Sequence, residues 1–133
     1  MDHEQLYTDL GYLFYSIAAN DGKVSPAERA ELISMVRKEW LPLESSRDEL
    51  GTDEAHYIDI AFEYATNENM APDDAFARFE DHVRKLPGEF DEGLRRMIRK
   101  TALAVASATA ARNKSELRRL VQLDQLFAKY PLA

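Results

Sequence analysis

The 133-residue chain has no cysteine. Disulfide frameworks, thiolate zinc sites and cysteine nucleophiles are therefore excluded, which suits a reducing compartment. Long apolar runs are also missing. The longest small-apolar stretch, Thr101 to Ala111, is too short and too Ala-rich to span a bilayer. The first residues, Met1-Asp2-His3-Glu4, are acidic, and no basic segment precedes an apolar one, so no signal peptide is expected. No alternating apolar-polar run and no Asn-Gly hairpin between β-branched segments occurs, so strands are not expected. The chain carries no Gly-x-Ser-x-Gly elbow, no P-loop and no Gly-x-Gly-x-x-Gly. A net charge of -7 argues against general nucleic-acid binding, which needs a basic surface. The expectation is a single cytoplasmic domain over residues 1–133. It is not an enzyme and does not span a membrane; any membrane association would run through a partner.

What is present is amphipathic helix. Hydrophobic residues make up 45% of the chain and charged residues 31%, the balance of a soluble globular protein. Leu6, Leu10, Leu13, Phe14 and Ile17 form the apolar stripe of a first helix, with Tyr7, Tyr12 and Tyr15 on a second packed face. Asp21-Gly22 stops it. Ser25-Pro26-Ala27-Glu28 starts a second helix, with Ser25 as N-cap, Pro26 at the first helical position and Glu28 closing a capping box. Leu32, Ile33, Val36 and Trp40 face inward on it, Trp40 as a core lid, and Pro42 ends it.

A polar connector from Leu43 to Gly51 precedes a third helix opened by Thr52-Asp53-Glu54 and carrying Ile58, Ala61, Phe62 and Ala65. Thr66 to Asn69 reads as a loop. Pro72-Asp73-Asp74 opens a fourth helix with Phe76, Phe79 and Val83, broken at Pro87-Gly88. A long fifth helix carries Phe90, Leu94, Met97, Ile98, Ala102, Val105 and Ala108; its small residues place it at the centre of the bundle. Asn113 to Glu116 repeats the capping pattern before a last helix with Leu120, Val121, Leu123 and Phe127, ended by Pro131. A weak internal repeat lays Glu28 on Glu116, Leu32 on Leu120, Ile33 on Val121, Met35 on Leu123, Ile17 on Val105 and Ala18 on Ala106. The fold expected is all-α, a compact bundle of six to seven helices.

The segment Asn20 to Glu28 carries the one pattern that suggests a ligand. With Gly22 at position 6 of an EF-hand loop, Asp21 takes position 5, Lys23 position 7, Ser25 position 9 and Glu28 position 12. Positions 1 and 3 would be Ile17 and Ala19, which offer no side-chain oxygen. A hard cation wants about six oxygens. Asn20 could add one, and the remainder would have to come from water or from acids elsewhere, with Asp53, Glu54, Asp73 and Asp74 as candidates. The same residues are also fully explained as a turn followed by a capping box, worth about 1 kcal/mol. Both readings stand on the sequence.

Leu13 to Glu28, reading LFYSIAANDGKVSPAE, resembles the signature of TerB-like domains, named for tellurite-resistance proteins. Their first helix-to-helix junction has an Ala-x-Ala-Asp-Gly core and a Glu that follows. The same junction occurs in the N-terminal domain of a membrane-anchored DnaJ-like co-chaperone. The resemblance implies a compact helical bundle, binding of a divalent cation of the calcium or magnesium kind, and a non-enzymatic role in tellurite or general stress response. Carried over by position, it implies Asp21 and Glu28 as metal ligands. It also implies Glu116 as a further candidate ligand, matched at the second junction, where the Asp-Gly pair does not recur.

Charge is unevenly spread. From Arg95 onward nine Lys and Arg face two acids, while residues 1–94 hold eight Lys and Arg and 22 acids. Arg95, Arg96, Arg99 and Lys100 are the candidate surface for a protein partner; the alternative is a solvated face neutralised by acids of the same fold. His3, His56 and His82 are scattered without metal spacing and read as surface or partly buried side chains.

Overall fold

The computed structural model describes residues 3–20, 23–41, 55–108 and 114–131, the side chains of 114–116 excepted. The described residues are helical with no strand. Six α-helices follow one another: α1 (His3–Ala18), α2 (Pro26–Met35), α3 (His56–Asn67), α4 (Pro72–Lys85), α5 (Glu92–Ala106) and α6 (Lys114–Lys129). A π turn, Val36–Trp40, prolongs α2, and a 3-10 turn, Pro87–Glu89, joins α4 to α5. No helix among the described residues is long and apolar enough to cross a membrane.

Helix α1 is the axis of the bundle. It packs most extensively on α3 and α4 and also touches α5, α6 and α2. Every residue from Leu6 to Ala18 except Thr8 is buried, the tyrosines of its second face included. This corrects the expectation that α5 lies at the centre. Small residues do mark the close approach, but on another pair of helices. A Cβ added at Gly11 would lie 2.5 Å from the carbonyl oxygen of Ile58 and 2.7 Å from the Ala61 Cβ. The backbones of α1 and α3 therefore touch at a point where only glycine fits. Helix α5 instead shows an outer face: Arg96, Arg99, Lys100 and Leu103 are exposed, while Ile98, Thr101, Ala102, Val105 and Ala106 are buried.

Local signals set the helix boundaries. Ser25 has extended backbone, its hydroxyl accepts from the Glu28 amide at 3.1 Å, and the Ser25 amide donates to Glu28 Oε1 at 2.8 Å, closing the capping box with Pro26 behind it. Pro72 opens α4 as expected. Asp91 caps α5 by accepting from the Leu94 amide at 2.8 Å, so Phe90 is buried just outside the helix rather than within it. Helix α5 closes at Ala106, leaving Ala108 beyond it. Helix α3 runs on through Thr66 and Asn67. The loop begins only at Glu68, and Asn69 takes a φ of 51°, a left-handed value asparagine tolerates.

Two apolar assignments are corrected at helix edges. Val121 is 53% exposed and Leu126 is buried in its place, because Leu120, Leu123 and Leu126 share the inner face of α6. Ile33 is half-buried, on the outward edge of α2 beside Arg29 and Arg37. The π turn, closed by the Leu41 amide on the Val36 carbonyl at 2.8 Å, carries Trp40 into the core. There its indole N–H donates to Thr101 Oγ1 at 2.9 Å and its ring meets Tyr7 and Phe14. Pro42, the connector to Glu54 and the Asn113 cap lie outside the described residues. Of the repeat positions, Ile17 and Val105, Ala18 and Ala106, Leu32 and Leu120, and Met35 and Leu123 are buried on both sides, while Ile33 and Val121 are not.

Candidate functional site

The described residues on either side of the junction after α1 make specific side-chain bonds. Glu28 is 2% exposed, and its Oε1 accepts the Ser25 amide. Asn20, on the other side of the turn, accepts through Oδ1 from Arg119 Nη2 at 2.6 Å. The same nitrogen donates to Asp73 Oδ1 at 2.8 Å, and Arg119 Nη1 donates to Gln122 Oε1 at 3.0 Å. Arg119 itself is 4% exposed, and its guanidinium lies over the Phe76 ring, 5.0 Å from the centroid. A buried cation on α6 thus ties the end of α1 to the start of α4.

That arrangement bears on the cation expected at this junction. Of the oxygens proposed for it, the Asn20 amide and the Asp73 carboxylate are already turned to a guanidinium, and Glu28 Oε1 is turned to a backbone amide. A divalent ion at the Asn20 amide or the Asp73 carboxylate would lie beside the fixed positive charge of Arg119, which repels it. Among the described residues no group of three or more histidines or carboxylates could hold a metal ion. Asp21, Asp53 and Glu54, and the side chain of Glu116, lie outside the described residues.

The basic candidates on α5 fall into two kinds. Arg95 is part of the core boundary: its Nε donates to the Phe90 carbonyl at 2.6 Å, its Nη1 to the Phe127 carbonyl at 3.0 Å, and its guanidinium covers the Phe127 ring. It holds α5 to α6 and is not available to a partner. Arg96, Arg99 and Lys100 are exposed, and each meets one acid: Arg96 meets Glu92 at 3.4 Å, Arg99 grips Asp124 through two bonds of 2.8 and 3.1 Å, and Lys100 meets Glu39 at 2.5 Å. Between them lies a shallow groove of about 480 Å³ lined by Gly93, Leu94, Arg96, Met97 and Lys100. Leu94 and Met97 are half-buried in its floor.

One titratable cluster was not anticipated. His82 is buried, and both ring nitrogens face carboxylates: Nδ1 lies 2.6 Å from Asp9 Oδ2 and Nε2 lies 2.9 Å from Glu89 Oε1. The signal was present in the pattern. His82 stands three residues after Phe79 and beside Val83, on the core face of α4, and Asp9 is a charge inside the apolar run of α1. The 73-residue separation of the two hides the pairing from any local reading. No protein-family model, no curated protein and no solved structure matches the chain.

Proposed function

We propose that the chain is a non-enzymatic helical module of the cytoplasm that engages an acidic protein partner through the exposed face of α5, and that its acidic first junction is a structural turn. The observation that supports the partner surface is the groove over Leu94 and Met97 with Arg96 and Lys100 on its rim. Apolar floor and cationic rim together suit an apolar side chain flanked by carboxylates. Glu92 and Glu39 now fill the latter role. Exposed ion pairs contribute only about 0–1 kcal/mol, so a partner's carboxylates can displace them at small cost. What supports the structural turn is the pair of bonds from Ser25 to Glu28 and from Arg119 to Asn20. A link to tellurite or general stress response rests on the resemblance of Leu13 to Glu28 to TerB-like domains.

The test compares the wild-type chain with an Arg96→Glu/Lys100→Glu variant as bait in native lysate. Arg95 is left intact because it supports the fold. The reading expects a partner captured by the wild type at low salt, released as salt rises, and lost from the variant. Capture of the same partners by both chains would contradict it.

A further inference from the structure

The buried histidine of α4 has a chemistry the proposed surface does not use. An ionised carboxylate only accepts hydrogen bonds, so a ring whose two nitrogens each face one must donate from both. When it carries both protons the His82 ring can donate to both carboxylates, with Asp9 Oδ2 at 2.6 Å and Glu89 Oε1 at 2.9 Å. The three members of the cluster come from three elements: Asp9 from α1, the ring from α4, and Glu89 from the 3-10 turn that leads into α5. Gln5 Nε2 donates to the other Asp9 oxygen at 3.1 Å and fixes that carboxylate in place. The ring is sealed below by Phe90, whose centroid lies 5.3 Å away edge-on.

We propose that Asp9, His82 and Glu89 form a proton-controlled clamp, closed while the imidazole carries both protons and open at the Pro87–Glu89 turn when it loses one. Removal of one proton leaves a nitrogen lone pair against a carboxylate, which is repulsive. Glu89 is the partner that gives way. Its side chain is 18% exposed against 8% for Asp9, and Asp9 is also held by Gln5. Released, Glu89 turns to water and the turn keeps its two backbone bonds, Glu89 to Leu86 and Phe90 to Pro87, both 3.1 Å, and the Arg95 bond to the Phe90 carbonyl. Leu86, next to it, is already 50% exposed.

Other charges near the ring do not supply a substitute. On α4, Arg78, Asp81 and Lys85 line the groove above the cluster. Asp81 is tied to Arg84 and Lys85, and Arg78 stacks on Tyr12. On α5, Arg95 lies behind Phe90 with its donors on the Phe90 and Phe127 carbonyls. Helix α6 contributes Phe127 against Phe90. Burial alone would pull the imidazole pKa down; the bonds to Glu89 and Asp9, with the charges of both, outweigh it and hold the group above 6.5. A basic group raised on folding stabilises in full below its unfolded value. The clamp's contribution is therefore complete below pH 6.5 and lost as pH climbs through the folded value.

The test is a proton NMR titration of the intact protein, with His3→Gln and His56→Gln variants identifying the His82 ring resonance. In parallel, hydrogen exchange at the Glu89 and Phe90 amides is followed across the same pH range. The proposal expects His82 to titrate above 6.5, and exchange at both amides to rise through that midpoint more steeply than at exposed amides. Glu89→Gln, which leaves an oxygen acceptor without charge, should lower the His82 midpoint and move the exchange transition with it. A His82 midpoint at or below 6.5, or exchange at Glu89 and Phe90 that tracks exposed amides, overturns the clamp. Both readouts work on the wild type, so a variant that fails to fold leaves the test intact.

Discussion

Glu28 separates the two readings of the acidic junction by a single atom. As a cap its carboxylate accepts one backbone N–H, which a glutamine oxygen does equally well; as a metal ligand it supplies charge, which glutamine does not. Glu28→Gln should therefore leave urea stability within about 0.5 kcal/mol of wild type. Ser25→Ala should cost about 1 kcal/mol, because the Glu28 amide loses its acceptor. A large loss in Glu28→Gln would mean that its negative charge matters beyond the cap. On the other side of the turn, Arg119→Met keeps an apolar side chain but removes the guanidinium over Phe76 and its donors to Asn20, Asp73 and Gln122. Chemical denaturation should show a loss of about 1–3 kcal/mol, most of it from the enclosed Asn20 bond. Asp73→Asn should do less, because that carboxylate side chain is 92% exposed. Equal effects of the two substitutions would show that the ion pair, not the enclosed hydrogen bond, fastens the junction.

At the level of elements, the point contact of α1 and α3 is the most exacting feature. Gly11→Ala places a methyl group against the Ile58 carbonyl, a backbone atom that cannot swing aside. The helices must separate, at a cost of about 1–3 kcal/mol that thermal unfolding would register. An unchanged melting temperature would mean that the two helices can part freely. Most helix limits could be read locally, since Ser25, Pro26, Pro72 and Pro87 act through neighbouring backbone. The order of burial among helices could not. The run of small residues in α5 signals a helix able to pack closely, but which pair does so depends on the partner's surface, here Ala61 opposite Gly11. The same limit hid the Asp9–His82 pair and the Asn20–Arg119 bond, each formed by residues on helices distant in sequence.

For the molecule as a whole, the acidic and basic halves are stitched by a few crossing pairs. Lys100 meets Glu39, Arg96 meets Glu92 and Arg119 meets Asp73. The first two are exposed and screened by salt, so raising the ionic strength should alter partner binding far more than stability. The parallel loss of both in a salt titration would indicate that these pairs hold the fold. The central proposal, that the acidic first junction is a structural turn, is tested most directly by calorimetric titration of the metal-free protein with calcium, magnesium, manganese and zinc. The account predicts no saturable heat with any of the four. A saturable heat that Asp21→Ala abolishes would contradict it.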